Sequence, residues 1–178
     1  VLTQRSLISV VNFLSSTSYQ WVTGIPSLIR EDSTLMHLRE EPWGFSRYNL
    51  AQGLHDYLHF SLVQQEGTFW KKSLWDKTGG LDCSFKLAGD WDLWRRFAEY
   101  ADLVTLRAVL GLHRRRQGQA SETFTKYIEE IKLSISQNHP SKNINHLKLF
   151  NLAPTAYWDA GLSEWMIERR NVLAETFI

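Results

Sequence analysis

Leu7, Val10, Val11 and Leu14 recur at spacings of three and four, which predicts one amphipathic helix over residues 3–15. Tyr19 to Thr23 then alternates aromatic and β-branched residues, and Gly24-Ile25-Pro26 closes it, so a short strand and a turn follow. From Arg30 to Asn49 the period fails, and Pro42 and Gly44 sit among charges, predicting a surface loop. Residues 51–60 fit a helical turn or two, and Leu62 to Phe69 reads as a strand entering a helix near Lys71. Gly79-Gly80 ends that helix, and a second one opens at Asp90. Leu103-Val104-Thr105-Leu106 with Val109-Leu110 predicts a buried strand, followed by the basic segment His113 to Gln119. Ser121 opens a long helix to about Gln137, capped by its own hydroxyl, and Asn138 to Asn143 breaks it. A last helix is expected from about Ser163 to Leu173, so residues 138–178 read as a helical extension. The chain contains no internal repeat and no low-complexity tract.

With 178 residues, 43% of them hydrophobic, the chain suits one domain with a substantial core. Its 20 basic and 19 acidic residues leave a formal charge of +1, which removes any bulk attraction to nucleic acid or an anionic membrane. Cys83 stands alone, so the sequence offers no internal disulfide and no cysteine-based zinc site. A reducing compartment, by default the cytoplasm, fits that usage. No run reaches the roughly 18 apolar residues of a membrane span, and no basic region precedes an apolar signal core. Eight Trp, six Tyr and nine Phe make a heavy aromatic load that suits core packing and also stacking on sugar rings.

The stretch Trp70-Lys-Lys-Ser-Leu-Trp-Asp-Lys-Thr-Gly79-Gly80-Leu-Asp-Cys-Ser-Phe-Lys-Leu-Ala-Gly89-Asp90-Trp91-Asp92-Leu-Trp-Arg-Arg-Phe97 is the most distinctive in the chain. It resembles the acceptor-side half of family-2 glycosyltransferases, which carry a Gly-Gly-Leu-Asp turn before a Glu/Gly-Asp-Trp/Tyr-Asp-Leu-Trp helix start. The resemblance covers roughly residues 1–137 and implies an α/β fold: the C-terminal half of a GT-A type domain, a short mixed sheet flanked by helices. In that family the aspartate matching Asp90 is the general base that deprotonates an acceptor hydroxyl, as an inverting transfer requires. The plain alternative is that Asp90 caps the helix, since Asp is among the preferred N-cap residues. Gly89 stands where many members carry Glu, which leaves a second carboxylate contact there without support.

Asp90-Trp91-Asp92 also has the form of an Asp-X-Asp metal motif. In the family that motif ends a strand, whereas Asp90 opens a helix, so Asp92 is expected to serve the helix dipole or pair with Arg95 or Arg96. Gln64-Gln-Glu66-Gly-Thr-Phe-Trp70 has the amide, carboxylate and ring groups that read sugar hydroxyls. Similarity to the family places Glu66, Trp70 and Trp91 at the acceptor, against a plain reading as a strand end. Leu110-Gly-Leu-His113-Arg114-Arg-Arg116-Gln-Gly118-Gln119-Ala-Ser121 resembles the family's loop near the metal and diphosphate. Arg114, Gly118, Gln119 and Ser121 match its pattern, and the family's histidine falls at Arg116. Arg114 and Arg116 are thus candidates for the leaving diphosphate and His113 for the metal. The plain alternative is a solvated basic loop.

The resemblance therefore implies a glycosyltransferase that moves a sugar from a nucleotide-sugar donor to a saccharide or other hydroxyl acceptor, with a divalent Mg or Mn ion. The family's nucleotide-binding half and its metal motif are not in this sequence, so the chain is expected to be a fragment, inactive alone. Polysaccharide assembly at the cytoplasmic side of a membrane is the setting the family suggests. A non-catalytic saccharide-binding or protein-interaction module is the competing class, and a homo-oligomer fits either. Nucleic-acid binding through His113-Arg-Arg-Arg116 is disfavoured by the near-neutral charge.

Overall fold

The computed structural model describes residues 1–38, 44–115, 121–138 and 152–171. Its first half runs α1 (Ser6–Ser16), β1 (Trp21–Thr23), β2 (Ser27–Ile29), β3 (Leu35–Leu38), α2 (Arg47–Ala51), a 3-10 turn (Gln65–Gly67) and β4 (Thr68–Trp70). There follow α3 (Lys72–Thr78), α4 (Gly89–Tyr100), β5 (Leu103–Leu106), β6 (His113–Arg114), α5 (Ser121–Asn138), β7 (Leu152–Asp159) and β8 (Glu164–Asn171). The chain is thus mixed α/β.

The main sheet has the order β4-β1-β5-β7-β8. β1, β5 and β7 run parallel, while β4 and β8 close the edges antiparallel. Successive strand residues face opposite sides, so Trp21 and Val22 of the buried β1 serve two separate cores. On one side Trp21 and Leu103 meet Leu93, Trp94, Phe97 and Ala98 of α4. Trp21 stacks on Trp94 at 5.7 Å and meets Phe97 edge-on at 5.3 Å, and its indole N–H donates to Ala101 O. On the other side Val22, Val104 and Ala156 meet α1. A smaller sheet, β3-β2-β6, lies beside this body.

Three expectations need correction. α1 exists, but its inward line is Val10, Phe13 and Leu14, while Leu7 and Val11 are 54% and 62% exposed. The helix carries two apolar lines at helical spacing, and burying the large Phe13 ring removes more apolar area from water. The predicted loop over residues 30–49 contains β3 and the start of α2, and its residues 39–43 lie outside the described set. Residues 164–171, expected as a helix, are strand β8, paired with β7 from Leu152↔Asn171 to Asp159↔Glu164. Asp159 Oδ1 accepts from the amides of Gly161 at 2.9 Å and Leu162 at 3.1 Å, which turns the chain back. The described part of the supposed helical extension is this hairpin, and β7 adds it to the main sheet beside β5. Among the described residues no helix is long and apolar enough to cross a membrane.

Candidate functional site

The Gly79-Gly80 turn forms as its residues dictate. Gly79 and Gly80 take φ of 80° and 74°, and their amides donate to Asp76 O at 3.4 Å and Trp75 O at 3.1 Å, closing α3. A Cβ on Gly80 would lie 2.9 Å from the Trp75 ring, so glycine is needed for packing as well as for conformation. Asp82 Oδ1 accepts from Ser84 N at 2.8 Å and shapes the loop that follows.

The chain reaches α4 with its amides held from outside. Glu130 of α5 accepts from the N–H groups of Lys86, Leu87 and Ala88 at 2.7, 2.8 and 2.7 Å. This carboxylate holds the three amides that lead into the helix, at the positive end of its dipole. The N-cap residue is Ala88, which offers no side-chain cap, and the helix opens at Gly89 rather than Asp90. Asp90 is the second helical residue and not the N-cap, although its bond from Trp91 N satisfies one first-turn amide.

Asp90 is half-buried, and Oδ1 accepts from Tyr127 Oη at 2.9 Å and from Trp91 N at 2.8 Å. Oδ2 has no hydrogen-bond partner among the described residues. Burial pushes the carboxyl above the usual carboxylate range; the two hydrogen bonds pull the other way, and the negative charge of Glu66 adds to the push. Burial raises Tyr127 further above its ordinary value, with the Asp90 charge second, so the phenol stays protonated and donates. The result is a carboxylate with one fixed oxygen, one available oxygen and raised basicity.

Glu66 stands at the 3-10 turn before β4, where Oε1 meets His113 Nδ1 at 2.8 Å. That bond holds the Glu66 carboxyl below its usual range and the His113 imidazole above its own. The two segments touch through backbone at Gly111, where a Cβ would lie 2.0 Å from Glu66 O. Glu66 and His113 therefore share one neighbourhood, and the charge of Glu66 is felt at Asp90. Arg114 does not join it: its guanidinium turns to the β2–β3 turn and donates to Glu31 O at 2.6 Å and Ser33 Oγ at 3.0 Å. Arg116, Gly118 and Gln119 lie outside the described residues, as does the side chain of Ser121.

Trp91, expected at the acceptor, lies in a core cluster. It is 3% exposed, packs with Ala88, Ile128 and Ile131, and stands against Gly53, whose φ is 73°. Trp70 is half-buried, stacked on Trp75 at 5.8 Å and edge-on to Trp94, in the aromatic wall of the core. Asp92 behaves as its helical position predicts. Buried, it receives Arg95 at 3.2 Å and Arg96 at 2.7 Å, and Arg96 also donates to Thr78 O at 2.7 Å, locking α3 to α4.

Among the described residues no three His, Cys, Asp or Glu side chains converge as metal ligands, so the divalent ion implied by the resemblance finds no complete ligand set in them. Sequence reasoning missed Tyr127 and Glu130, which α5 brings to the start of α4 from 37 and more residues away. Their signal was a helical face on which Tyr127 and Glu130 flank the buried Ile128 and Ile131. No protein-family model matches the chain, and no curated protein matches it significantly.

Proposed function

We propose that this chain is the acceptor-side half of an inverting glycosyltransferase of family 2 with a GT-A type fold, and that Asp90 is its general base. One observation carries the reading: Asp90 Oδ1 is fixed by Tyr127 and Trp91 N, while Oδ2 has no partner among the described residues. The raised carboxyl brings the base nearer to working pH, where a proton acceptor is most effective. The Trp70 to Phe97 sequence pattern supports the family assignment, and the mixed sheet with helices on both faces is compatible with it.

In this mechanism Oδ2 of Asp90 takes the proton of an acceptor hydroxyl as its oxygen attacks the anomeric carbon of the donor sugar. The nucleoside diphosphate leaves from the opposite face, and the anomeric configuration inverts. Glu66, half-buried and kept ionised by His113, offers an acceptor oxygen for a second sugar hydroxyl. Binding of the nucleotide falls to the nucleotide-binding half that the family pairs with this one. The setting we propose is polysaccharide assembly, with a saccharide as acceptor.

The test is release of nucleoside diphosphate from a panel of nucleotide-sugars by the full-length protein that contains this chain, with product configuration read by NMR. Donor-dependent turnover with inversion is the expected result. Saccharide binding without turnover of any donor would replace the enzyme by a binding module.

A further inference from the structure

Tyr127 reaches the Asp90 carboxylate across 37 residues of sequence, its Oη donating to Oδ1 at 2.9 Å. The amide of Trp91 donates to the same oxygen at 2.8 Å. An amide from the next residue constrains the carboxylate in one direction, and a second donor arriving from α5 on the same atom fixes how the group is turned. One helical turn further along α5, Glu130 holds the amides of Lys86, Leu87 and Ala88. A single face of α5 thus grips both the backbone that enters α4 and the side chain at its second position. Ile128 and Ile131 seat that face against Ala88 and Trp91.

The phenol suits a carboxylate that must stay ready to accept a proton. Burial raises Tyr127 above its ordinary value and the Asp90 charge adds to the rise, so the hydroxyl keeps its proton and only donates. Its bond favours the ionised form of Asp90, against the larger upward push of burial. The other charges around the helix start are smaller in effect or already engaged. Glu66, from the 3-10 turn, adds a lesser upward push, and Glu130 of α5 is held by backbone amides. Asp92, on α4 itself, is paired with Arg95 and Arg96. His55, which lines a cavity with Tyr127 and Trp91, is neutral near pH 7 because burial pushes its pKa down to about 4.

We propose that Tyr127 is a positioning residue for Asp90: its hydroxyl holds Oδ1 and thereby makes Oδ2 the oxygen that meets an acceptor hydroxyl. The role rests on the reading of Asp90 as general base, and Tyr127 acts through that carboxylate. A carboxylate free to turn about its Cβ–Cγ bond would present either oxygen off the line of proton transfer, and misplacement on the order of 1 Å is enough to cost about 10²-fold in rate. Tyr127 also keeps the base ionised closer to neutral pH than burial alone would allow.

Tyr127→Phe removes one oxygen and keeps the ring, so it isolates the hydrogen bond from the packing. In the full-length protein, labelled with ¹³C at its aspartate carboxyls, the Asp90 signal is assigned by its loss in Asp90→Asn. In Tyr127→Phe that signal should titrate at higher pH, and the acid limb of kcat/KM should move up with it. The rate on the plateau should fall about 10- to 100-fold. In the unsubstituted protein the ¹³Cζ signal of Tyr127 should follow the Asp90 titration, a readout that needs no variant to fold. An Asp90 titration unmoved in Tyr127→Phe, a Tyr127 signal indifferent to it, or a full rate in Tyr127→Phe overturns the positioning role and leaves the base to be judged by Asp90→Asn. A rate kept in Asp90→Asn overturns the base itself, and the positioning role with it.

Discussion

The start of α4 and the segment from His113 use their charges in opposite ways. At α4, Asp90 and Glu130 are brought to one helix end, where amides and a phenol hold them and one Asp90 oxygen is left without a partner. At His113–Arg114, the imidazole is engaged by Glu66 and the guanidinium by the carbonyl and hydroxyl groups of the β2–β3 turn. Both stretches are rich in ionisable groups, and at the α4 start one Asp90 oxygen is kept in reserve. Charge density in a sequence therefore locates candidates, while the partners brought by the fold decide which stays available.

The sharpest way to break this arrangement is at Gly111, where the His113 segment meets the Glu66 turn. Gly111→Ala places a methyl 2.0 Å from Glu66 O, with backbone on both sides, and should cost about 4 kcal/mol or more in urea unfolding. Acid should weaken the core around His55 next. The His55 pKa is depressed in the fold to about 4, so the unfolded chain binds more protons between its ordinary value of 6.5 and that value. Stability is therefore full above pH 6.5 and falls toward pH 4, by about 3 kcal/mol from this group. Denaturant midpoints against pH should show the fall, and His55→Gln should flatten it.

Glu130→Ala removes the acceptor for three amides at the α4 start and should cost about 1–2 kcal/mol, the scale of a lost N-cap. Faster hydrogen exchange at Lys86, Leu87 and Ala88 would locate the loss. Arg114→Ala should be mildest, within about 1 kcal/mol by thermal unfolding, because water can replace its partners in the β2–β3 turn. A cost for Arg114→Ala as large as that for Glu130→Ala would erase the contrast.

Local signals account for what could be read in advance. The α1 helix, the Gly79-Gly80 stop, the α4 start and the short strand β1 each need only neighbouring residues, and each appears near its predicted place. Asp90 could be named because its helix start is local. Tyr127, which holds it, and Glu130, which holds the amides before it, could not, because both arrive only once α5 packs Ile128 and Ile131 on Trp91 and Ala88. The small sheet was hidden for the same reason: Leu28↔His113 pairs residues far apart in the chain. β8 was misread because Trp165-Met166-Ile167 are consecutive apolar residues, which fit either period. Its partner β7 carries Pro154, a residue that argues against a strand until pairing is known.

The most direct test of the proposed base is Asp90→Asn in the full-length protein, with turnover and melting temperature measured on the same preparation. The ionised Asp90 is disfavoured by burial, so near neutral pH its neutral isostere should leave the melting temperature unchanged or higher. Turnover should nevertheless fall by about 10²–10⁴-fold, the contribution of a general base. A variant that keeps more than about a tenth of the rate, or one that loses rate only because it melts, would contradict the role given to Asp90.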